Sequence, residues 1–271
     1  MTARSFQGLT VVVTGGAGGI GRALGARFLR AGARVALLDL DGAAVAGVAA
    51  ELSRAGAEII GVACDVTVPA DCTRALDAVR ARLGPVDVLV ANAGIAHRSA
   101  FCDTELAVFR RVMEVNFFGA LHATQAALAD LRARRGLCIV ISSIAGVAPL
   151  YGRSGYAAST HALHGLFDTA RTELAADGVG VLIVCPSFTR SGFEASALGA
   201  RGERTGRPRS SVGAVASPES VADAVVAAAA RGRRLLVLSP VGKTSYLLSR
   251  LAPRLYERLM LRSLRSELSG G

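Results

Sequence analysis

Short β-branched and aliphatic runs punctuate this chain, separated by longer stretches in which apolar and polar positions recur with a helical period. The runs are Leu9–Thr14, Arg34–Asp39, Glu58–Cys64, Val86–Ala91, Leu137–Ser142, Val179–Cys185 and Arg234–Ser239. Most are apolar at consecutive rather than alternate positions, which marks strands covered on both faces. Helices are expected from the glycine cluster at 15–21 to Ala31, over Asp41–Ala55, over Val68–Leu83 before Gly84-Pro85, from Thr104 to about Arg134, and over Gly155–Ala176. Another starts at Ser217, a good cap with Pro218 in the first helical position, and runs to about Ala230. Strand and helix alternate along the whole chain, so the expected fold is α/β, a single doubly wound parallel sheet with helices on both faces. Ligands of such sheets gather at the C-terminal ends of the strands.

Two stretches break the alternation. Residues from about 187 to 216, above all Gly192–Ala216, are rich in Gly, Ser and Arg and have no period; they read as a lid over a ligand site or an ordinary surface loop. After residue 240 the chain carries leucines at 247, 251, 255 and 259 and arginines at 250, 254, 258 and 262, an amphipathic basic helical pattern that Pro253 should split. This divides the chain into a domain over 1–240 and a C-terminal extension over 241–271. The extension can pack on the protein or a partner subunit, lie on an anionic membrane through 244–266, or stay frayed.

Composition narrows the class. The chain has 271 residues, 51% of them hydrophobic and 19% charged, which is a globular balance. No apolar run reaches the roughly 18 residues of a membrane span. No signal-like apolar region precedes the first strand, which gives a cytoplasmic expectation. The five cysteines, at 64, 72, 102, 138 and 185, are scattered without metal-ligand spacing, so reduced thiols and no metal site are expected. The net charge of +10 rests almost wholly on arginine, since Lys243 is the single lysine; no nucleic-acid motif accompanies it, and no nucleic-acid partner is expected.

The candidate chemistry sits at strand ends. Thr14-Gly15-Gly16-Ala17-Gly18-Gly19-Ile20-Gly21 lies between the first strand and a helix, where glycines let the backbone approach a pyrophosphate and the helix N-terminus offers N–H groups to it. Asp39 ends the second strand, placed to accept hydrogen bonds from ribose hydroxyls and to repel a 2′-phosphate, which selects NAD(H) over NADP(H). Arg22 and Arg34 speak for the contrary choice. Ser143 follows the fifth strand, and Tyr156 opens the next helix. A serine hydroxyl that holds a carbonyl or carbinol oxygen and a phenol that moves its proton form a workable acid–base pair.

This ordered set resembles the short-chain dehydrogenase/reductase family, one-domain type, over roughly Gly8–Ser239. The resemblance implies a Rossmann fold with strand order 3-2-1-4-5-6-7 and an NAD-dependent oxidoreductase that interconverts a secondary alcohol and a ketone. It carries Gly15, Ala17, Gly18, Gly19, Ile20 and Gly21 over as the phosphate loop, and Asp65-Val66 as the adenine contact. Asn92-Ala93-Gly94 matches the family's Asn-Ala-Gly, which lines the cofactor. Pro186 through Thr189 and Ser191 resembles the Pro-Gly-x-x-x-Thr that holds the nicotinamide carboxamide, with Ser187 and Ser191 as replacements. Ser143, Tyr156 and Asn116 match catalytic positions, the last in a helix that it bends. The fourth position departs: the family has lysine four residues after the tyrosine, where this chain has Thr160. In the family that lysine binds the nicotinamide ribose and lowers the tyrosine pKa. Thr160 can meet the ribose with a hydroxyl but brings no charge, so impaired turnover, or cofactor binding with little turnover, is the alternative. A homodimer or homotetramer is expected; similar tails occur in members close to 11-beta-hydroxysteroid dehydrogenases, which favour dimers and lipophilic substrates, so the resemblance implies a lipophilic alcohol or ketone.

Overall fold

The computed structural model describes residues 4–53, 56–205 and 212–265. Its seven strands are β1 (Thr10–Thr14), β2 (Arg34–Asp39), β3 (Ile59–Ala63), β4 (Val88–Ala91), β5 (Leu137–Ile141), β6 (Gly180–Cys185) and β7 (Leu235–Val237). They pair in parallel in the order β3-β2-β1-β4-β5-β6-β7, the order expected. The missing alternation has a simple cause. Val11, Val13, Val35, Leu37, Val88 and Val90 pack under α1 (Gly19–Arg30), α2 (Gly42–Ser53) and α7 (Pro218–Ala230). Val12, Ala36, Leu38 and Leu89 face the other layer, α3 (Pro69–Leu83), α5 (Gly119–Ala133) and α6 (Ser154–Glu173). These positions are removed from water, and each valine or leucine among them contributes about 1.5–3 kcal/mol of transfer free energy.

The long helix expected over Thr104–Arg134 is interrupted. Helix α4 (Leu106–Met113) and α5 are joined by a π-helical turn over Glu114–Phe118, with Asn116 at its centre. Strand β7 is only three residues long, because Ser239 turns with φ 64° and its hydroxyl accepts from Gly242 N at 3.0 Å to cap the next helix.

The lid stretch is tied down where it is described. A 3-10 turn covers Phe193–Ser196, and bridges join Thr189 to Ala216, His97 to Leu198, and Leu198 to Arg204. Residues 206–211 of the expected lid and 266–271 of the expected extension lie outside the described residues.

The extension forms two helices, α8 (Pro240–Leu251) and α9 (Pro253–Leu264), broken at Pro253. They fold back on the segment after β5: Tyr256 Oη donates to Pro149 O at 2.7 Å, and Ser249 Oγ to Val147 O at 3.3 Å. The inward face carries Tyr246, Tyr256 and Leu264. Leu247 and Leu251 of the leucine stripe point outward, 56% and 82% exposed. The break at Ala252 (φ −143°, ψ 64°) resets the helical phase, so a four-residue repeat carried across it does not describe one continuous face. Among the described residues no helix is long and apolar enough to cross a membrane.

Candidate active site

The C-terminal ends of β1, β2, β4, β5 and β6 open into one cleft of about 400 Å³. The loop after β1 enters it first. Gly15 has φ 65° and Gly19 φ 48°, a backbone region that costs side-chain-bearing residues energy. A Cβ on Gly18 would have no atom within 4 Å, so the backbone there lies open toward the cleft. A Cβ on Gly21 would stand 2.0 Å from Gly15 O, so the loop closes on its helix only because residue 21 has none. Asp39 secures the same loop, since its Oδ2 accepts from Ala17 N at 3.0 Å. This cradle of open backbone beside a carboxylate fits the pyrophosphate and ribose of a dinucleotide.

The end of β4 holds the loop from the other side. Asn92 Nδ2 donates to Thr14 O at 2.9 Å and Gly15 O at 3.1 Å, and the Asn92 and Ala93 N–H groups both donate to Thr14 Oγ1 at 3.0 Å. Asn116 crosses from the π turn: its Oδ1 accepts from Ile95 N at 2.8 Å, while Nδ2 donates to Ile95 O at 3.1 Å and Ser159 Oγ at 2.9 Å. The extra residue of a π turn swings the amide toward the strand end. Asn116 is thereby bonded to protein groups on β4's exit and on α6, rather than engaged with residue 160.

Ser143, Tyr156 and Thr160 meet in the same cleft. Ser143 caps a short turn, its Oγ accepting from Ala145 N at 3.1 Å, which leaves its proton for another acceptor. Thr160 is 3% exposed, and its hydroxyl lies 2.9 Å from Tyr156 O and 3.1 Å from Ala157 O. A helical threonine commonly donates to the carbonyl one turn back. In this structure its single proton is directed to those carbonyls, which leaves lone pairs as its remaining hydrogen-bonding capacity.

Of the other expected residues, Gly15, Gly18, Gly19, Ile20, Asp39, Asn92, Ala93, Gly94, Pro186 and Thr189 line the cleft. Ala17, Gly21, Asp65 and Val66 stand outside its wall. Asp65 spends Oδ1 on Thr67 N at 2.9 Å and Thr67 Oγ1 at 2.7 Å, and Val66 is buried against Gly119. Phe193, whose ring centroid lies 5.9 Å from that of Tyr156, also lines the cleft, as do Leu150 and Phe188, none of them singled out individually from the sequence. An aromatic residue in the lid was the available signal for Phe193; the other two are ordinary apolar positions until the chain folds. The stretch Ala96–Asp103 contributes nothing to the wall among the described residues.

Among the described residues no lysine, arginine or histidine lines the cleft. Arg153 is buried and donates through Nη1 to Tyr151 O at 3.1 Å. His161 binds Ala157 O at 2.9 Å, His164 lies 3.5 Å from Cys185 Sγ, and Lys243 is exposed on α8. At the cofactor end, Arg22 pairs with Glu51, and Arg34 starts β2 with Nη2 donating to Gly8 O at 3.1 Å, far along the strand from Asp39. Nor do three His, Cys, Asp or Glu side chains cluster as metal ligands among the described residues.

Behind the cleft, His97 is 1% exposed and 2.8 Å from Ser99 Oγ. Burial, with Arg153 nearby, pushes its pKa down to about 4. The unfolded chain takes up this proton near 6.5 and the folded chain only near 4, so protonation favours unfolding as pH falls through that window. His97 therefore removes up to about 3 kcal/mol of stability between those limits. Urea midpoints measured from pH 7 to 4.5 should fall less steeply in His97→Gln than in wild type; parallel slopes would show that His97 does not titrate this way.

The short chain dehydrogenase family profile matches residues 9–200. Dehydrogenase/reductase SDR family member 7B of Bos taurus is 36% identical over 265 residues, covering 95% of this chain and 82% of that protein. 2-(S)-hydroxypropyl-CoM dehydrogenase 3 of Xanthobacter autotrophicus is 35% identical over 222 residues, covering 80% and 87%. A short chain dehydrogenase/reductase from Burkholderia phymatum, solved in complex with NAD, superposes with a TM-score of 0.83 at 25% identity over 93% of this chain and 96% of that one. The alcohol dehydrogenase of Thermococcus sibiricus, solved with 5-hydroxy-NADP, gives 0.71 at 26% identity over 81% and 89%.

Proposed function

The chain belongs to the short chain dehydrogenase family, oxidoreductases of CH–OH groups that use a nicotinamide cofactor, and from that premise we propose that it interconverts a lipophilic secondary alcohol and its ketone with NAD(H), at a rate held down by Thr160. The observation that carries this reading is the convergence of Ser143 and Tyr156 with the glycine loop and Asp39 in one cleft whose described lining has no cationic side chain. A bound nicotinamide would accept or deliver the hydride. The chain's own residues do the rest. Ser143 donates to the substrate oxygen and fixes it, Tyr156 takes or returns the hydroxyl proton, and Phe193 and the lid limit water around the reacting carbon.

The test is NADH production from NAD and a panel of lipophilic secondary alcohols, comparing wild type with Tyr156→Phe. Turnover above that of Tyr156→Phe is expected. Tight NADH binding with no difference in turnover would make the protein a cofactor-binding module instead.

Asp39 supports NAD over NADP: a carboxylate at the ribose end repels a 2′-phosphate, and neither Arg22 nor Arg34 is placed to offset it. Asp39→Ser should raise the ratio of NADPH to NADH affinity by about tenfold to a hundredfold. Fluorescence titration of both cofactors measures it, and a wild type that already prefers NADPH would overturn the assignment.

The exposed Leu247, Leu251 and Leu255, together with the exposed Arg254, Arg258 and Arg262, support contact with an anionic lipid surface. Each arginine near such a surface contributes about 1 kcal/mol, screened by salt. The protein should float with phosphatidylglycerol-containing vesicles at low salt and be released at high salt, and Leu251→Asp should weaken flotation. Absence of flotation, with concentration-dependent self-association reduced by Leu251→Asp, would assign the stripe to a second copy.

A further inference from the structure

A second chamber adjoins the catalytic cleft. Ile144, Leu150, Ser187 and Phe188 stand in the wall of the cleft and also in the wall of this chamber of about 320 Å³. Helices α8 and α9 close the far side through Val241, Leu248 and Met260. The two spaces adjoin across their shared wall, and each is of the size that small-molecule sites take.

The second chamber is chemically one-sided. Among the described residues no charged side chain lines it. Three of its hydroxyls are turned to the backbone: Tyr256 Oη donates to Pro149 O at 2.7 Å, Thr244 Oγ1 to Pro240 O at 3.0 Å and Ser263 Oγ to Leu259 O at 3.0 Å. What the chamber mainly presents is aliphatic and aromatic carbon. Such a space discriminates by apolar area rather than by hydrogen bonding.

We propose that this chamber is the second half of the substrate site, holding an uncharged aliphatic tail carried by the molecule whose carbinol or carbonyl carbon lies at Ser143 and Tyr156. The assignment rests on the oxidoreductase reading above and adds to it the class of substrate. It also gives the C-terminal extension a task, since α8 and α9 supply the wall that a sheet ending at β7 would lack. Chain length is then the specificity variable. Each methylene that enters the chamber should raise kcat/KM by about three- to fourfold until the space is filled.

The experiment uses a series of linear methyl ketones of increasing length with NADH, on wild type, Met260→Trp and Met260→Ala, with displacement of the neutral dye Nile red as a binding readout that needs no turnover. Wild type should show the stepwise rise and a plateau, Met260→Trp should lose the rise, and Met260→Ala should extend it to longer chains. Reduction that is independent of length, or a rise that Met260→Trp retains, overturns the chamber and leaves the oxidoreductase reading intact. If no ketone is reduced, displacement of Nile red by long ketones from wild type but not from Met260→Trp upholds the chamber and removes the oxidoreductase reading for these substrates. Failure of displacement in that case removes both.

Discussion

Thr160→Lys is expected to raise the rate of alcohol oxidation by about 10²–10⁴-fold, the scale of positioned acid–base support. Thr160 lies one helical turn after Tyr156 and borders the cleft, yet its hydroxyl proton points back to the carbonyls of Tyr156 and Ala157. It gives the reacting end of the site neither charge nor a donor. No other described lining residue supplies the charge, because Arg153, His161, His164 and Lys243 all face elsewhere. An ordinary phenol ionises near pH 10, and an ammonium within about 4–6 Å favours its ionised form by about 1–3 pKa units. Each unit gives about tenfold more phenolate near neutral pH. Lysine keeps the Cα–Cβ direction of Thr160 and has the reach to bring its ammonium into the open volume. Two controls isolate the charge. Thr160→Met adds length without charge and should gain little. Tyr156→Phe/Thr160→Lys should gain nothing over Tyr156→Phe, because the ammonium then has no phenol to act on. The measurement is kcat/KM for NADH production across all five proteins. A wild type as fast as Thr160→Lys would mean that protons leave this site by a route that does not need the missing charge.

What the sequence made legible was whatever depends on short range or on strand ends. The buried runs, the glycine loop, Asp39, Ser143 and Tyr156 all sit at junctions where a strand stops, and parallel topology brings such junctions to one edge. The site was therefore readable in order along the chain. Three features were not. The direction of the Thr160 hydroxyl depends on a helical choice between cleft and carbonyl that residue identity leaves open. The resemblance implied a bend at Asn116, but its form, a π turn at Glu114–Phe118, depends on Asn116 finding Ile95, twenty-one residues earlier. Which face of the extension packs was left open, because the Pro253 break resets the phase of the repeat and the packing face is set by Val147 and Pro149, a hundred residues upstream. The second chamber shares that dependence on distant segments, since neither wall resembles a pocket by itself.

Gly21→Ala should weaken NADH binding by about 100-fold or more and cost about 1–3 kcal/mol of stability, although it adds one methyl group. The new Cβ would lie 2.0 Å from Gly15 O and 2.8 Å from Asn92 Nδ2. The first neighbour is backbone, so it cannot rotate away, and relief requires the loop and helix α1 to separate. Gly15 O also accepts from Asn92 Nδ2, and the neighbouring Ala17 N donates to Asp39. Moving the loop therefore disturbs the ties to β4 and β2 together and spoils the approach that the open backbone at Gly18 gives a pyrophosphate. The same substitution elsewhere should have the opposite sign. Gly47 lies exposed within α2 with nothing within 4 Å of its Cβ position, so Gly47→Ala should add about 0.5–1 kcal/mol by removing helical glycine. Urea midpoints and NADH fluorescence titrations on the two variants separate the local clash from the general effect of a methyl group. If Gly21→Ala binds NADH as tightly as wild type, the closure between Gly15 and Gly21 is not what shapes the nucleotide cradle, and the loop's fit to a pyrophosphate has to be sought in Gly18 and Gly19 alone.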